Sequence, residues 1–492
     1  MSVHWPIIRS LLRNAKRTLV VDDRRSYTGA EILVAALHVA AEIERRCSTD
    51  KVGLMLPTSA AFPIAALATW MLGRTVVPLN YLLKPEELDY VIDHCGTDFV
   101  LSAGPLIESL GATPSVKSLG RMEEIDFTGV PEFRWPSRAD DDGLALLIYT
   151  SGTTGKPKGV MLTHGNLVAN IRQGVVGMQA SAKEVFLGVL PQFHCFGVTQ
   201  LTLTPLTMGA KVVYTARFSP GKIFALSREH RATVFIGIPS MYSALVSAKG
   251  GSPEDFASMR LMVSGAEPLP DATFDRFREK FGVSICEGFG MTELAPATNV
   301  SVPGKSRMHS VGQPLDGVRQ RIVDPATGFE LPPNQEGELR LAGPNLMAGY
   351  YRREEETRGT IDEQGYMRTG DIARIDDDGY LYITGRLKEM MIVGGENVFP
   401  REVEEALNMH PGVSASGVIG VRDDIRGEVI VGFVEPREGM SVTGDELRVW
   451  CRDRLAGYKC PREIHVVEAL PRNPVGKIMR RELGKLLPRE SV

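Results

Sequence analysis

The stretch from residue 149 to 160, YTSGTTGKPKGV, carries the residue types that bind an anion. It contains three glycines, four serine or threonine hydroxyls and two lysines. The glycines let backbone N–H groups approach an anion closely, the hydroxyls donate hydrogen bonds, and the lysines supply positive charge. An apolar run over 144–149 predicts a buried strand before it, and residues 160–171 predict a short strand and then a helix that begins near Thr163. The candidate anion-binding residues are Thr150, Ser151, Gly152, Thr153, Thr154, Gly155 and Lys158.

The same composition is common in mobile surface turns, so a plain turn is the alternative for this stretch. A P-loop of the Walker type is excluded, because Pro157 follows Lys156 where that motif requires serine or threonine.

A second segment, GFGMTE over 288–293, combines three further chemical functions. Phe289 can stack on a purine, Thr292 offers a hydroxyl to a phosphate, and Glu293 offers a carboxylate. A carboxylate beside a polyphosphate would repel it, which implies a hard cation between them, and Mg²⁺ is the natural one. A dinucleotide fingerprint is excluded, because Glu293 stands where the third glycine would be.

Residues 149–160 match the phosphate loop of the AMP-forming acyl-CoA synthetase family, which also includes luciferases and the adenylation domains of peptide synthetases. Segments 261–270, 288–293, 366–371 and 471–480 resemble further family segments in the same order. The resemblance implies a reaction in two halves. A carboxylate attacks the α-phosphorus of ATP and displaces pyrophosphate, and a thiol then attacks the acyl-adenylate and displaces AMP.

The resemblance also implies how ATP is bound. Asp371 would accept the ribose hydroxyls, Arg386 would contact the ribose and phosphates, and Thr292 and Lys477 would stabilise the α-phosphate. Sequence pattern places Asp371 in a turn after a strand, where a capping role is the alternative. Arg480 and Arg481, close to Lys477, are expected to be simple surface charges. The adenine-side residues are Ala266, Glu267, Glu287, Gly288, Phe289 and Gly290.

The acid and CoA would meet a different set of residues. His194 would orient the carboxylate, with a structural histidine as the alternative, and because amino-acid-activating relatives tend to carry an acidic residue there, a plain carboxylic acid is expected. Arg217 would meet CoA phosphates, with a solvated loop arginine as the alternative. Lys388 occupies the hinge position, and Gly394 and Gly395 would line the pantetheine tunnel after the small domain rotates.

Length and composition indicate an ordinary globular protein of more than one domain. A chain of 492 residues is too long to fold around a single hydrophobic core. Its net charge of -4 argues against a nucleic-acid binder. Repeated helix–strand units over about 26–142 predict an α/β fold with a parallel sheet, interrupted by an irregular linker over 111–133. We expect an N-terminal ATP- and acyl-binding domain over 1–385, with a β-rich subdomain, and a mobile α+β domain over 386–492.

The sequence also indicates a location and possible partners. No apolar run is long enough to span a bilayer, the N-terminus lacks the features of a signal peptide, and six scattered cysteines suit reduced thiols, so a cytoplasmic location is expected. The predicted function is a ligase that joins a carboxylic acid, a fatty acid first among the candidates, to CoA. The alternatives are a ligase that loads an acyl-carrier protein and a silent acyl- or nucleotide-binding module. A monomer and a homodimer both remain open.

Overall fold

A computed structural model of the protein describes residues 2–111, 113–150, 156–423, 427–472 and 478–487. The strands are β1 Thr18–Val21, β2 Ser26–Thr28, β3 Lys51–Met55, β4 Thr75–Pro78, β5 Phe99–Ser102, β6 Ser118–Arg121, β7 Leu144–Thr150, β8 Lys158–Thr163, β9 Val185–Gly188, β10 Lys211–Tyr214, β11 Val234–Gly237, β12 Leu261–Ser264, β13 Cys286–Gly290, β14 Ala297–Val300, β15 Arg319–Val323, β16 Gly337–Ala342, β17 Gly349–Tyr350, β18 Met367–Ile375, β19 Leu381–Arg386, β20 Met391–Val393, β21 Glu396–Val398, β22 Val413–Asp423, β23 Gly427–Pro436 and β24 Glu463–Val466. The helices are α1 His4–Arg13, α2 Gly29–Arg46, α3 Ala61–Met71, α4 Pro85–Cys95, α5 Gly104–Leu110, α6 His164–Gly177, α7 Cys195–Val198, α8 Thr204–Met208, α9 Pro220–His230, α10 Pro239–Ser247, α11 Asp271–Phe281, α12 Glu354–Thr360, α13 Pro400–Asn408, α14 Gly444–Arg452 and α15 Arg480–Leu483.

The first sheet carries the predicted anion-binding hairpin, formed by β7 and β8, at one side. Its strand order is β17-β8-β7-β4-β3-β5-β6, and the strands from β7 to β6 pair in parallel, as the alternation of helices and strands predicts. The hairpin strands β7 and β8 pair antiparallel, with Thr150 opposite Lys158. The prediction of an irregular linker over 111–133 is wrong in part, because β6 lies within it and extends the sheet beside β5.

The second sheet brings the start of the chain next to its middle. Its order is β14-β13-β12-β11-β9-β10-β1-β2, with parallel pairing from β13 to β1. The carboxyl ends of parallel strands meet at one edge, so segments that follow β9, β11, β12 and β13 converge there. The candidate residues His194 and Ala266 belong to the segments after β9 and β12, and Phe289 lies near the carboxyl end of β13 itself.

Two smaller sheets complete the fold. An antiparallel sheet of order β15-β16-β18-β19 follows the second sheet in the chain and holds Asp371 and Arg386. After β19, strands β20 to β24 form another sheet, on which α13 and α14 pack through a core that includes Val403, Val418 and Leu447.

Local signals in the sequence account for several helix ends. Thr28 and Thr163 each cap a helix through a reciprocal pair of hydrogen bonds with the third helical residue. Gly96 ends α4 with a left-handed φ of 75°, and Pro400 begins α13. Within the described ranges, no helix combines the length and the apolar character that crossing a bilayer requires.

Candidate active site

Two cavities meet at the carboxyl edge of the second sheet. The inner cavity, of about 490 Å³, lies between Thr150, His194, Ile236, Glu293 and Val300. The outer cavity, of about 480 Å³, continues from it towards α11, α13 and the segment around Arg480. The residues that line both cavities are Ala266, Glu267, Gly288, Phe289, Gly290 and Arg386.

The predicted anion-binding hairpin opens into the inner cavity. Thr150 and Lys158 both line it, and Lys158 Nζ forms an ion pair of 2.6 Å with Glu356 and lies 5.3 Å from the centroid of the Tyr350 ring. The predicted loop residues Ser151, Gly152, Thr153, Thr154 and Gly155 lie outside the described part of the chain. The described ends of the hairpin therefore place the Lys158 ammonium group and the Thr150 hydroxyl at the cavity.

The candidate metal ligand Glu293 lies on the short turn after β13, next to Thr292. Its Oε1 accepts a hydrogen bond of 2.9 Å from the Tyr350 hydroxyl. Burial, and then the charge of Glu293, raises the pKa of Tyr350, so Tyr350 remains a neutral phenol that donates to the carboxylate. Glu293 shares the inner cavity with Thr150 and Lys158.

The Glu293 carboxylate could be one ligand of Mg²⁺, with the other ligands supplied from outside the protein. Within the described ranges no cluster of three or more His, Cys, Asp or Glu could enclose a metal ion by itself. Mg²⁺ is commonly held by one or two carboxylates together with substrate phosphates and water. Glu293, anchored by a phenol beside the hairpin, would hold Mg²⁺ in that way.

His194 caps the short helix α7 at the wall of the inner cavity. Its Nδ1 accepts a hydrogen bond of 3.4 Å from the backbone N–H of Phe196. A neutral imidazole whose Nδ1 accepts carries its proton on Nε2. His194 can therefore present a donor to a carboxylate oxygen.

The predicted adenine-side residues come together where the two cavities join. Ala266 has a φ of 69°, which turns the chain sharply after β12. A Cβ on Gly290 would lie 2.0 Å from the carbonyl oxygen of Pro296, so only glycine fits between β13 and the segment before β14. Phe289 lines both cavities, and burial raises the pKa of Glu287 beside it.

The predicted ribose residues form an ion pair across two neighbouring strands. Asp371 is 2% exposed, and its Oδ1 lies 2.8 Å from Nε of Arg386, directly opposite on β19. The prediction that Asp371 lies in a turn is wrong. It lies within β18, directly after Gly370. Gly370 is the residue that made the sequence resemble a turn, and its φ of 69° is a turn-like conformation inside the strand.

Lys388 follows on the next turn of chain and lines the inner cavity. Burial, and then the charge of Arg386, lowers its pKa. The structure thus places the predicted hinge residue beside the predicted nucleotide contacts.

Three predicted CoA contacts lie away from these cavities. Arg217 is exposed on the connection between β10 and α9, and neither cavity includes it. Gly394 and Gly395, with φ of 60° and 90°, form the exposed turn between β20 and β21, and also line neither cavity. Their roles towards CoA stay predictions.

The segment around the predicted catalytic lysine faces the outer cavity at both of its described ends. Lys477 itself lies outside the described residues. Arg472 and Ile478, on either side of the gap, pair as an antiparallel bridge and line the outer cavity together with Phe289 and Asp371.

The prediction that Arg480 is a simple surface charge is wrong. Its guanidinium lies 2.8 Å from Glu389 and forms a two-point contact of 2.7 and 3.0 Å with Glu404. Arg480 therefore ties the C-terminal segment both to α13 and to the turn that holds Lys388. Arg481, with 67% of its side chain exposed, lies at the surface as expected.

Sequence reasoning missed two residues of the inner cavity. Tyr350 holds Glu293 from 57 residues away. Gln200, with 3% of its surface exposed, lines the same cavity. Tyr350 lies in a β-rich stretch and Gln200 in an apolar helix. Nothing in the neighbouring sequence indicates that Tyr350 contacts Glu293 or that Gln200 lines the cavity.

Comparisons with known proteins agree with this geometry. Residues 9–351 match the family described as AMP-binding enzyme, and residues 402–477 match the AMP-binding enzyme C-terminal domain. A feruloyl-CoA synthase of an Amycolatopsis species is 35% identical over 489 residues, which cover 98% of each chain. A sulfoacetate–CoA ligase of Cupriavidus necator is 36% identical over 89% of this chain and 87% of its own.

The structure of ATP-bound MatB from Rhodopseudomonas palustris is similar over 99% of both chains, with a TM-score of 0.89 at 30% identity. Because both family segments match in order and relatives above 30% identity span nearly the whole chain, the protein belongs to the AMP-binding enzyme family and is an AMP-forming acid–CoA ligase that uses ATP, Mg²⁺ and CoA.

Proposed function

We propose that the acid this ligase activates is a monocarboxylic acid with an uncharged, mainly apolar body. The observation that carries the proposal is the distribution of charge in the inner cavity. Its basic lining residues, Lys158, Arg368, Arg386 and Lys388, all lie on or next to β8, β18 and β19.

Another part of the lining of the inner cavity favours such an acid. This part consists of residues of α6, β11, β12 and β14, and none of those in the described lining is charged. A second carboxylate or a sulfonate would need a cation to replace its hydration there. Two relatives are named for ferulate and sulfoacetate, which differ in charge and size, so the relatives do not single out a fatty acid.

In the first half-reaction, the acid carboxylate would lie between His194 and the α-phosphate of ATP. His194 would donate from Nε2 to one carboxylate oxygen, while the other oxygen attacks phosphorus and pyrophosphate leaves. Thr292, Lys158 and Lys477 would offset the charge that builds on the phosphates, since preorganised donors lower such barriers most effectively. Mg²⁺ at Glu293 would neutralise part of the pyrophosphate charge.

In the second half-reaction, the thiol of CoA would replace pyrophosphate as the group beside the acyl carbon. We propose that the part after residue 385 rotates about Lys388 for this step, so that residues 1–385 and 386–492 act as two domains. Arg472 and Ile478 line the outer cavity and Gly394 and Gly395 do not, which supports an arrangement suited to adenylate formation.

The remaining parts of the proposal concern location and acceptor. All six cysteines lie within the described residues and are free thiols, five of them buried, which suits the reducing cytoplasm. A small carrier protein is the second thiol acceptor to test against CoA.

The experiment is ATP–pyrophosphate exchange over a panel of acids, with and without CoA. We expect exchange with neutral aryl or alkyl acids, no exchange with malonate or sulfoacetate, and a thioester when CoA is present. Exchange confined to dianionic acids would contradict the proposed acid class. Exchange without a CoA thioester would assign the acyl group to a carrier protein.

A further inference from the structure

A chain of buried amide side chains ends at the wall of the inner cavity. Asn170 on α6 accepts a hydrogen bond of 3.3 Å from the N–H of Ala297, and its Nδ2 donates over 2.7 Å to the carbonyl oxygen of the same residue. A backbone N–H only donates and a carbonyl oxygen only accepts, so these two bonds fix which end of the Asn170 amide points which way.

The orientation of Asn170 decides the orientation of Gln200. Gln200 Nε2 donates over 2.9 Å to Asn170 Oδ1, which is the acceptor end of that amide. Gln173, which accepts from Asn170 over 3.0 Å, is oriented by its own donation to the carbonyl oxygen of Asp316. The amide nitrogen of Gln200 therefore points to Asn170, and its oxygen, Oε1, points away from Asn170.

Gln200 Oε1 lies at the cavity surface beside Gly174. A Cβ built on Gly174 would stand 2.6 Å from this oxygen, and both residues line the inner cavity. Within the part of the chain that the structure describes, Oε1 receives no hydrogen bond. Its neighbours in the wall, such as Met178, Ile236 and Val300, are apolar.

The position of Gln200 relative to His194 indicates which part of an acid would reach it. Both residues belong to one continuous helical segment, which runs from the cap of α7 into the π-helical turn Thr199–Leu203. Both side chains line the inner cavity, and helix α7 and the first residue of the π-helical turn lie between them along the segment. His194 would hold the carboxylate, so Gln200 would meet the far end of the acid.

We infer that Gln200 is a specificity-determining residue, whose Oε1 accepts a hydrogen bond from a hydroxyl at the far end of an aryl carboxylic acid. This inference rests on the proposed function and narrows its substrate class to hydroxyaryl acids. An acid without the hydroxyl leaves the buried carbonyl oxygen without a donor once the cavity water is displaced. A site built in this way discriminates against an analogue that lacks the polar group.

The first test needs only the unaltered enzyme and matched pairs of acids. The pairs are para-hydroxybenzoate with benzoate, and para-hydroxyphenylpropenoate with phenylpropenoate. Para-methoxybenzoate serves as a control that keeps the oxygen but has no proton to donate. We expect kcat/KM for adenylate formation to favour each hydroxy acid by about tenfold or more over its parent and over the methoxy acid.

Two variants then assign the preference to Gln200. Gln200→Leu removes the acceptor at similar volume, and we expect it to abolish the preference and to favour the parent acids. Gly174→Ala places a methyl group against Oε1 and should lower the preference through displacement of the amide, while alanine is well tolerated inside a helix. Gln313→Leu, an equivalent change at an exposed position that lines neither cavity, should behave as the unaltered enzyme.

The outcomes separate the inference from the proposed function. Equal kcat/KM for hydroxy and parent acids would overturn the inference and leave the neutral-acid ligase standing. A preference that survives in Gln200→Leu would assign the hydroxyl to another acceptor, such as Asn299, and would also overturn it. Pyrophosphate exchange with none of the neutral acids would instead contradict the proposed function itself.

Discussion

Asp371 and Arg386 lie directly opposite each other on β18 and β19, and their side chains form an ion pair of 2.8 Å at the edge of the outer cavity. Fifteen residues separate the two in the sequence, so the register of the two strands creates the pair. Arg386, which lines both cavities, thereby orients the buried Asp371 carboxylate.

Asp371→Asn should weaken ATP binding. A carboxylate accepts two hydroxyl donors well, and hydrogen bonds to a charged group contribute about 1.5–3 kcal/mol, so kcat/KM for ATP should fall roughly tenfold to a hundredfold. Pyrophosphate exchange measured over a range of ATP concentrations checks this. Asp378→Asn is the matched control, because Asp378 is an exposed partner of Arg307 and should matter little. An unchanged KM for ATP in Asp371→Asn would refute the ribose contact.

Glu293→Gln should raise the Mg²⁺ concentration needed for half-maximal adenylate formation. The amide keeps the shape of the side chain but loses the charge that holds the cation, and an increase of about tenfold to a hundredfold is expected. Tyr350→Phe, which removes the phenol that anchors Glu293, should shift the Mg²⁺ dependence in the same direction by less. Exposed Glu336→Gln is the control. An identical Mg²⁺ titration for Glu293→Gln and Glu336→Gln would remove Glu293 from the metal site.

Lys477→Ala should slow adenylate formation by about a hundredfold to a thousandfold, which is typical for the loss of one preorganised charge-stabilising group. Thioester formation from supplied acyl-adenylate and CoA should proceed at nearly the normal rate, because pyrophosphate is absent from that step. Single-turnover measurements of each half-reaction check the contrast. Lys485→Ala, an exposed lysine in the same C-terminal segment, is the control. An equal loss of rate in both half-reactions would contradict this role for Lys477.

Arg480→Ala should impair adenylate formation more than thioester formation from supplied adenylate. The guanidinium joins the C-terminal segment to Glu389 and Glu404, so its loss releases the segment that carries Lys477. We expect roughly a tenfold slower first half-reaction, with partial recovery in Arg480→Lys, since lysine keeps the charge but not the two-point contact. Arg481→Ala is the control. A uniform loss of both half-reactions, together with a lower melting temperature, would indicate a merely structural residue.

The folded protein should lose stability as pH falls from about 6.5 towards 4. His164 is 3% exposed and accepts a hydrogen bond from the N–H of Val3, and burial lowers its pKa from 6.5 to about 4. The unfolded chain therefore binds a proton in this range that the folded chain does not, which costs up to roughly 3 kcal/mol. The lowered pKa of His4 acts in the same direction.

Urea denaturation at pH 7 and pH 5 measures this loss. His164→Gln keeps a hydrogen-bond acceptor but cannot titrate, so its free energy of unfolding should change less between the two pH values than that of the unaltered protein. The same change in both proteins would show that other groups account for the acid sensitivity.

Much of the fold and part of the site could be predicted because their signals are local. Thr28, Thr163, Gly96 and Pro400 set helix ends through contacts within a few residues, and these positions were predicted correctly. Helix–strand alternation likewise predicts parallel pairing. Glu293 and Phe289 were recognisable because one short segment carries both.

Other features depended on contacts between distant segments. The Asp371 carboxylate was expected in a turn, because Gly370 dominates the local pattern, yet the pairing of β18 with its neighbours places it inside a strand. Arg480 was expected at the surface, because a basic tail gives no hint of Glu389 and Glu404.

The sequence was therefore sufficient to predict the family, the reaction and the residues that we propose to contact nucleotide, since these lie in short contiguous segments whose chemistry can be recognised without the fold. Which side chains orient those residues, and which groups line the cavity proposed for the acid, depended on the tertiary structure. Tyr350 reaches Glu293, and Asn170 turns the oxygen of Gln200 to the cavity, through hydrogen bonds between segments far apart in the chain. Such bonds are set by strand register and side-chain packing, which no local pattern encodes.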